Sequence, residues 1–87
     1  MASYELIFKK SVAKDLRPLP KPDVKLILQR IRALAEDARA HGCEKLSGQE
    51  RYRVRQGIYR IIYEIEDHRL TVIVVKVAQR REAYRAR

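Results

Sequence analysis

Residues 52–78, YRVRQGIYRIIYEIEDHRLTVIVVKVA, decide the fold. Tyr52-Arg53-Val54-Arg55 alternates cationic with apolar or aromatic side chains, Gln56-Gly57 offers a turn, and Ile58 to Ile65 is dense in Ile and Tyr. Glu66-Asp67-His68 offers a second turn, and Leu70 to Ala78 is rich in β-branched residues. Runs of β-formers separated by turn residues predict three strands joined by two hairpins. The last of them, Val72-Ile73-Val74-Val75-Lys76-Val77, is apolar on both faces. A strand of that kind belongs in the centre of a sheet with helices against one side.

Upstream, Tyr4-Glu5-Leu6-Ile7-Phe8 is a short run of β-formers, followed by a helical stretch from about Lys9 to Arg17 in which Val12, Ala13 and Leu16 share a face. Pro18, Pro20 and Pro22 interrupt that pattern, since proline lacks an amide donor, and Pro22 suits the first turn of a new helix. From Asp23 to about Ala40, Val24, Ile27, Leu28, Ile31, Leu34, Ala35 and Ala38 form one stripe on a 3.6-residue period, which predicts the second helix. His41-Gly42 is expected to close it, because glycine takes the left-handed closing conformation cheaply. The order is β-α-α-β-β-β, an α+β fold with a helical hairpin packed on one face of a twisted, mainly antiparallel sheet. At 87 residues, one domain spanning 1–87 is expected.

Composition narrows the functional classes. The chain carries 20 Lys+Arg against 11 Asp+Glu, a net charge of +9, which calls for a polyanion or an acidic protein as partner. Residues 51–87 hold 10 basic and 4 acidic side chains, against 10 and 7 in the longer first part, so the excess lies toward the C-terminus. The lone Cys43 cannot form an intramolecular disulfide or a cysteine-based zinc site, and no secretory signal pattern is present. A cytoplasmic protein is expected. Apolar runs such as Val72–Val75 fall far short of the roughly 18 residues of a membrane span, so no membrane partner is expected.

Alternation places Arg53 and Arg55 on one face of their strand, away from Tyr52 and Val54, and Arg60 on the face opposite Ile61, Tyr63 and Ile65. Two antiparallel strands would then present three guanidinium groups together. Such groups repel unless an anion compensates, and arginine forks onto phosphate oxygens, so the cluster points to a phosphodiester. Ion pairing with Glu64 or Glu66 is the structural alternative. After the last strand, Gln79-Arg80-Arg81-Glu82-Ala83-Tyr84-Arg85 adds Arg80 beside Tyr84, a tyrosine suited to stacking on a base or, near cations, to handling a proton; an amphipathic tail anchor explains it equally well. His41 and His68 each lack a second histidine, which leaves a paired-histidine mechanism or a metal site without its parts. Cys43 reads as a passive thiol, and Tyr4, Tyr52, Tyr59 and Tyr63 as packing residues with their hydroxyls at the rim.

The run from Tyr52 through Ile65, followed by Val75 through Tyr84, resembles the RelE branch of the RelE/ParE toxin superfamily. The likeness extends through Tyr4–Phe8, Ala13–Leu16 and Lys45–Gly48, and so covers nearly the whole chain in order. It implies a RelE-like microbial RNase fold and a bacterial or archaeal type II toxin that cuts mRNA in the ribosomal A site. The implied enzyme is a metal-independent endoribonuclease, or mRNA interferase, without a cofactor. A RelB-like antitoxin would neutralise it, and operator DNA would be met only through the antitoxin complex. Carried over position by position, Arg60 and Arg80 match the residues that hold the scissile phosphate, and Tyr84 the tyrosine that orients the nucleotide. Arg53 and Arg55 match basic strand positions, with Arg81 and Arg85 as further contacts to RNA and ribosome. Two departures stand out: Arg53 and Arg55 occupy positions held by lysine in well-known members, and Gln79 a position often held by His or Lys. Arginine does not give up its proton near neutrality, so the departures imply a slow or context-limited nuclease. Two other readings fit the same residues: a ParE-like inhibitor of DNA gyrase, which needs no catalytic tyrosine, and a noncatalytic nucleic-acid-binding module.

Overall fold

In the computed structural model, residues 3–40, 42–46 and 50–79 are described. The elements are β1 (Glu5–Phe8), α1 (Lys10–Leu16), α2 (Lys21–Glu36), β2 (Glu44–Lys45), β3 (Arg51–Gln56), β4 (Tyr59–Glu66) and β5 (Thr71–Gln79), with a 3-10 turn at Asp67–Arg69 before β5. The sheet order is β1-β5-β4-β3-β2. β1 and β5 run parallel and the other pairs antiparallel, as the connection of β1 to β5 through the helices requires. The expected fold class is therefore present, with two refinements. The two-residue β2 adds a fifth strand too short to carry a sequence pattern, and β4, not β5, is the middle strand; β5 is interior, between β1 and β4.

One face of the sheet carries the core. Val54, Tyr59, Ile61, Tyr63, Val72, Val74 and Val77 meet Val12 of α1 and Ile27, Ile31 and Leu34 of α2, all buried. Ile27, Ile31 and Leu34 fall at i, i+4 and i+7, the spacing that aligns side chains on one helical face. Pro22 sits in the first turn of α2 as expected, and Asp23 there complements the positive end of the helix dipole. The helix ends at Glu36, about a turn before the expected close at His41-Gly42. Glu36 and Asp37 bring negative charge to an end that disfavours it, and Asp37 is extended at φ −147°. Beyond it, the Ala38 carbonyl accepts a hydrogen bond from the Tyr63 hydroxyl at 2.9 Å. That bond anchors the departing chain to the core, and burial of Tyr63 pushes its phenol above its ordinary pKa.

β1 covers only residues 71–74 of β5, which would leave the rest of that edge open. α1 closes it with side chains: the Ser11 hydroxyl donates to the Val75 carbonyl at 2.9 Å, and the Val77 amide donates to the Asp15 carboxylate at 3.0 Å. A bulge against Ile62/Tyr63 falls at the same place, with Ile62 opposite Lys76 and Tyr63 opposite Val74. The hairpin between β3 and β4 turns on Gly57-Ile58, one residue later than expected, and Ile58 lies outside the strand at 61% exposure. Gly57 has φ +60° and Ile58 a negative φ, the pattern of a type II′ turn, which demands glycine first.

The opposite rim is tied by a polar network. The Arg39 guanidinium donates two hydrogen bonds to the Asp67 carboxylate, at 3.0 and 2.9 Å, and the Tyr4 hydroxyl donates to the same carboxylate at 2.8 Å. Arg39 also lies 5.4 Å from the Tyr52 ring centroid, and Tyr52 stacks on Tyr63 across the strands at 5.8 Å.

Two outcomes follow for folding. No atom lies within 4 Å of where a Cβ would sit on Gly57, so Gly57→Ala carries only the backbone penalty and should destabilise by about 1 kcal/mol in urea denaturation. The Arg39 guanidinium beside Asp67 holds its carboxyl down to about 2 from the usual 3.8. A depressed folded pKa contributes stability above the unfolded value that is lost as pH falls through the folded one. The melting temperature should therefore fall between about pH 4 and pH 2, and Arg39→Gln should flatten that part of the profile.

Candidate phosphate-binding face

The face of the sheet turned away from the helices carries the arginines. In an antiparallel pair, residues directly opposite share a face. The register places Arg51 opposite Glu64, Arg53 opposite Ile62 and Arg55 opposite Arg60, while Tyr52, Val54, Ile61 and Tyr63 take the core face. The three guanidinium groups expected to converge do share one face, at the end of the sheet nearest the Gly57 turn. Arg60 continues across to Ala78 on β5, and Gln79 lies opposite Tyr59 on the other face. Arg80, Arg81, Tyr84 and Arg85 lie outside the described residues.

The members of the cluster differ in setting. Arg60 is buried at 3% exposure and its neighbour Ala78 at 2%, although both lie on the face without helices. A buried guanidinium is held in place by its surroundings. Arg55 is exposed, and among the described residues it forms no salt bridge. Directly opposed like charges destabilise a strand pair. The Arg55–Arg60 pair is thus a feature of the register that packing tolerates.

The ion pairs differ from the alternative weighed above. Glu64 pairs with Arg51 at 2.9 Å and Glu66 with Arg69 at 3.5 Å, so neither neutralises the cluster. Among the described residues, Glu44 of β2 lies opposite Arg53 and accepts a hydrogen bond from the Arg53 guanidinium. Arg53 holds the Glu44 carboxyl below its ordinary pKa, and Arg55 and Arg60 add in the same direction. Sequence reasoning missed Glu44 because two residues of strand show no alternation. Its odd-even match to Arg53 appears only once β2 is known to pair with β3.

A cleft of about 450 Å³ opens beside the cluster at the short β2 edge, lined by Arg30, Gly42, Cys43, Glu44, Val54 and Arg55. A second polar cleft of about 270 Å³, at the same end of the molecule but on the helix side, includes Lys14, Asp15, Tyr59 and Gln79. The Tyr59 hydroxyl donates to Asp23 at 2.6 Å, which raises its pKa, so this tyrosine is a braced structural residue and not a proton carrier. His68 sits in the exposed 3-10 turn, away from the arginines, and half-buried Cys43 packs against the core. His68 is at the surface and Cys43 half-buried, as expected, and His41 lies outside the described residues.

Comparison with known proteins places this geometry. Among solved structures, the chain is similar to the toxin-antitoxin complex RelBE2 of Mycobacterium tuberculosis, with a TM-score of 0.82 and 23% identity over 91% of this chain and 93% of that one. It is similar to the archaeal RelE-RelB complex of Pyrococcus horikoshii, with a TM-score of 0.81 and 27% identity over 90% and 96% of the two chains. The RelB-RelE antitoxin-toxin complex of Methanococcus jannaschii gives a TM-score of 0.76 and 27% identity over 93% and 98%. No curated protein sequence matches the chain. The family described as ParE toxin of type II toxin-antitoxin system, parDE, matches residues 6–84. With nearly its whole length matched, and with the fold of the RelE toxins, the chain belongs to the ParE toxin family within the RelE/ParE superfamily of type II toxins.

Proposed function

We propose that this toxin is a ribosome-dependent mRNA endoribonuclease that uses its arginine face to hold the RNA backbone. The observation that carries the reading is the register of β3 and β4, which sets Arg55 directly against buried Arg60 with Arg53 on the same face. In RNA cleavage of this class the 2′-oxygen attacks the adjacent phosphorus, the bond to the 5′-oxygen breaks, and the products are a 2′,3′-cyclic phosphate and a 5′-hydroxyl. The attacking hydroxyl loses a proton and the departing oxygen gains one. Charge builds on the non-bridging phosphoryl oxygens, where fixed guanidinium groups stabilise it more than in the ground state. Arg60 and Arg80 take that role, Tyr84 orients the nucleotide, and Arg53, Arg55, Arg81 and Arg85 hold RNA and ribosome. Arginine stays protonated near neutrality, so the cluster works by electrostatics and positioning.

The second reading is inhibition of DNA gyrase by protein contact. The family description itself favours it, since the matching family bears the ParE name. Arg80 with Tyr84 favours the nuclease. In either case the partner is an acidic antitoxin of the RelB kind; the Pyrococcus horikoshii relative is a RelE-RelB complex. A groove of about 450 Å³ between α1 and α2 suits an amphipathic acidic segment: Leu16, Leu19, Val24 and Leu28 form its floor, and Arg17 and Lys25 are among the cations on its rim.

The deciding experiment is primer extension on a defined mRNA programmed into purified ribosomes, beside the same RNA free in solution and a gyrase supercoiling assay. Cuts confined to the A-site codon on the ribosome are expected, and supercoiling inhibition with intact message would transfer the assignment to gyrase. Arg60→Ala combined with Tyr84→Phe should lower cleavage at least about 100-fold, the scale of losing one transition-state contact. Arg55→Gln should act with opposite signs on two readouts. Removing a like charge from a cross-strand pair should stabilise the fold by roughly 0.2–1 kcal/mol, while affinity for RNA falls.

A further inference from the structure

Glu44 is set into the proposed arginine face beside Arg53, apart from the Arg51–Glu64 pair at its far end. Glu44 lies opposite Arg53 in the β2/β3 register, which puts its carboxylate on the face shared by Arg53, Arg55 and Arg60. Its Oε1 accepts a hydrogen bond from Arg53 Nη2. It also lines, with Arg55 and Arg30, the cleft that opens at this edge. The Glu44 side chain is 63% exposed while Arg53 is 24% exposed, so the pair is not a buried structural ion pair; the carboxylate covers the arginine from the solvent side.

We propose that Glu44 is a built-in competitor for the RNA backbone: it occupies Arg53 when no polyanion is bound and is displaced by a phosphodiester when one arrives. This rests on the reading of the face as an RNA site. Exposed ion pairs are weak, so the exchange costs little, and the freed guanidinium fork matches two phosphate oxygens. A carboxylate that stays in front of a row of guanidinium groups repels phosphate and lowers affinity for any polyanion. Positive charge around Glu44 also makes it a poor proton acceptor, which separates this role from that of a general base. Glu44 is thus a specificity residue: it suppresses binding to polyanions that offer only charge and leaves the site to a strand held in place by further contacts.

The test is binding of a short 2′-O-methyl RNA, which cannot be cleaved, measured by fluorescence anisotropy across a potassium chloride series. Glu44→Gln should tighten binding about three- to tenfold at low salt, because Arg53 no longer has to be freed from a carboxylate, and the gain should shrink as salt screens the charges. In an Arg53→Gln background the same substitution should tighten binding much less, since the competition runs through Arg53. Glu44→Asp, which keeps the charge, should remain close to the parent protein. Circular dichroism melts establish that each variant is folded. Unchanged or weaker binding by folded Glu44→Gln at low salt overturns the proposal. Loss of ribosome-dependent cleavage at unchanged affinity also overturns it and makes Glu44 a proton acceptor instead. Arg55→Gln in the same series separates the two levels of argument. If it weakens binding while Glu44→Gln fails to tighten it, only the role of Glu44 is lost. If it leaves binding unchanged, the RNA reading of the face falls and this proposal with it.

Discussion

The arrangement of the arginines depends on the two-residue turn at Gly57-Ile58. A turn of that length fixes the register of β3 on β4, with Gln56 opposite Tyr59, and every later pair follows from it. A slip of β3 by one residue on β4 would send Arg53 and Arg55 into the core and bring Tyr52 and Val54 out. Burying each of those apolar side chains contributes roughly 1.5–3 kcal/mol, whereas directly opposed like charges cost about 0.2–1 kcal/mol. Packing wins by a wide margin. The same alternation that builds the core therefore holds Arg55 against Arg60.

The surrounding devices protect that sheet. The helical hairpin covers one face, and α1 reaches past the end of β1 to satisfy the exposed edge of β5 through Ser11 and Asp15. Tyrosine hydroxyls tie the rims: Tyr63 to the chain leaving α2, Tyr59 to the start of α2, and Tyr4 to the turn before β5. Each bond joins elements distant in sequence. These bonds tie the sheet at both ends of the arginine face.

The parts of this arrangement legible in the sequence are those written with a period. Ile27, Ile31 and Leu34 announced α2, and the alternation of Tyr52 to Arg55 against Arg60 to Ile65 announced both the core face and the guanidinium cluster. What escaped were features set by pairing across space. β2 is two residues long and carries no pattern, so Glu44 could not be matched to Arg53. The end of α2 was placed at Gly42, which does adopt a positive φ of 91°, but the dipole and the Tyr63–Ala38 bond stop the helix earlier. Ile58 looked like a strand residue by composition, yet a type II′ turn starting at Gly57 must use it as the second turn position. The Arg39–Asp67 link joins residues 28 apart with no motif between them.

A face made of arginine rather than lysine or histidine commits the site to one kind of chemistry. Guanidinium groups present donors in a fixed fork and keep their charge at any physiological pH, so they hold phosphate well and move protons poorly. A site of that composition is always charged, including when it is empty. For a chain with net charge +9, an uncovered row of cations would attract every nucleic acid nearby. On the proposed reading, two layers answer the problem. The antitoxin removes the toxin from use altogether, and Glu44 moderates the site once the toxin is free. The second layer is local: one carboxylate, held by strand register opposite one arginine, lets a positioned phosphate in and discounts charge alone.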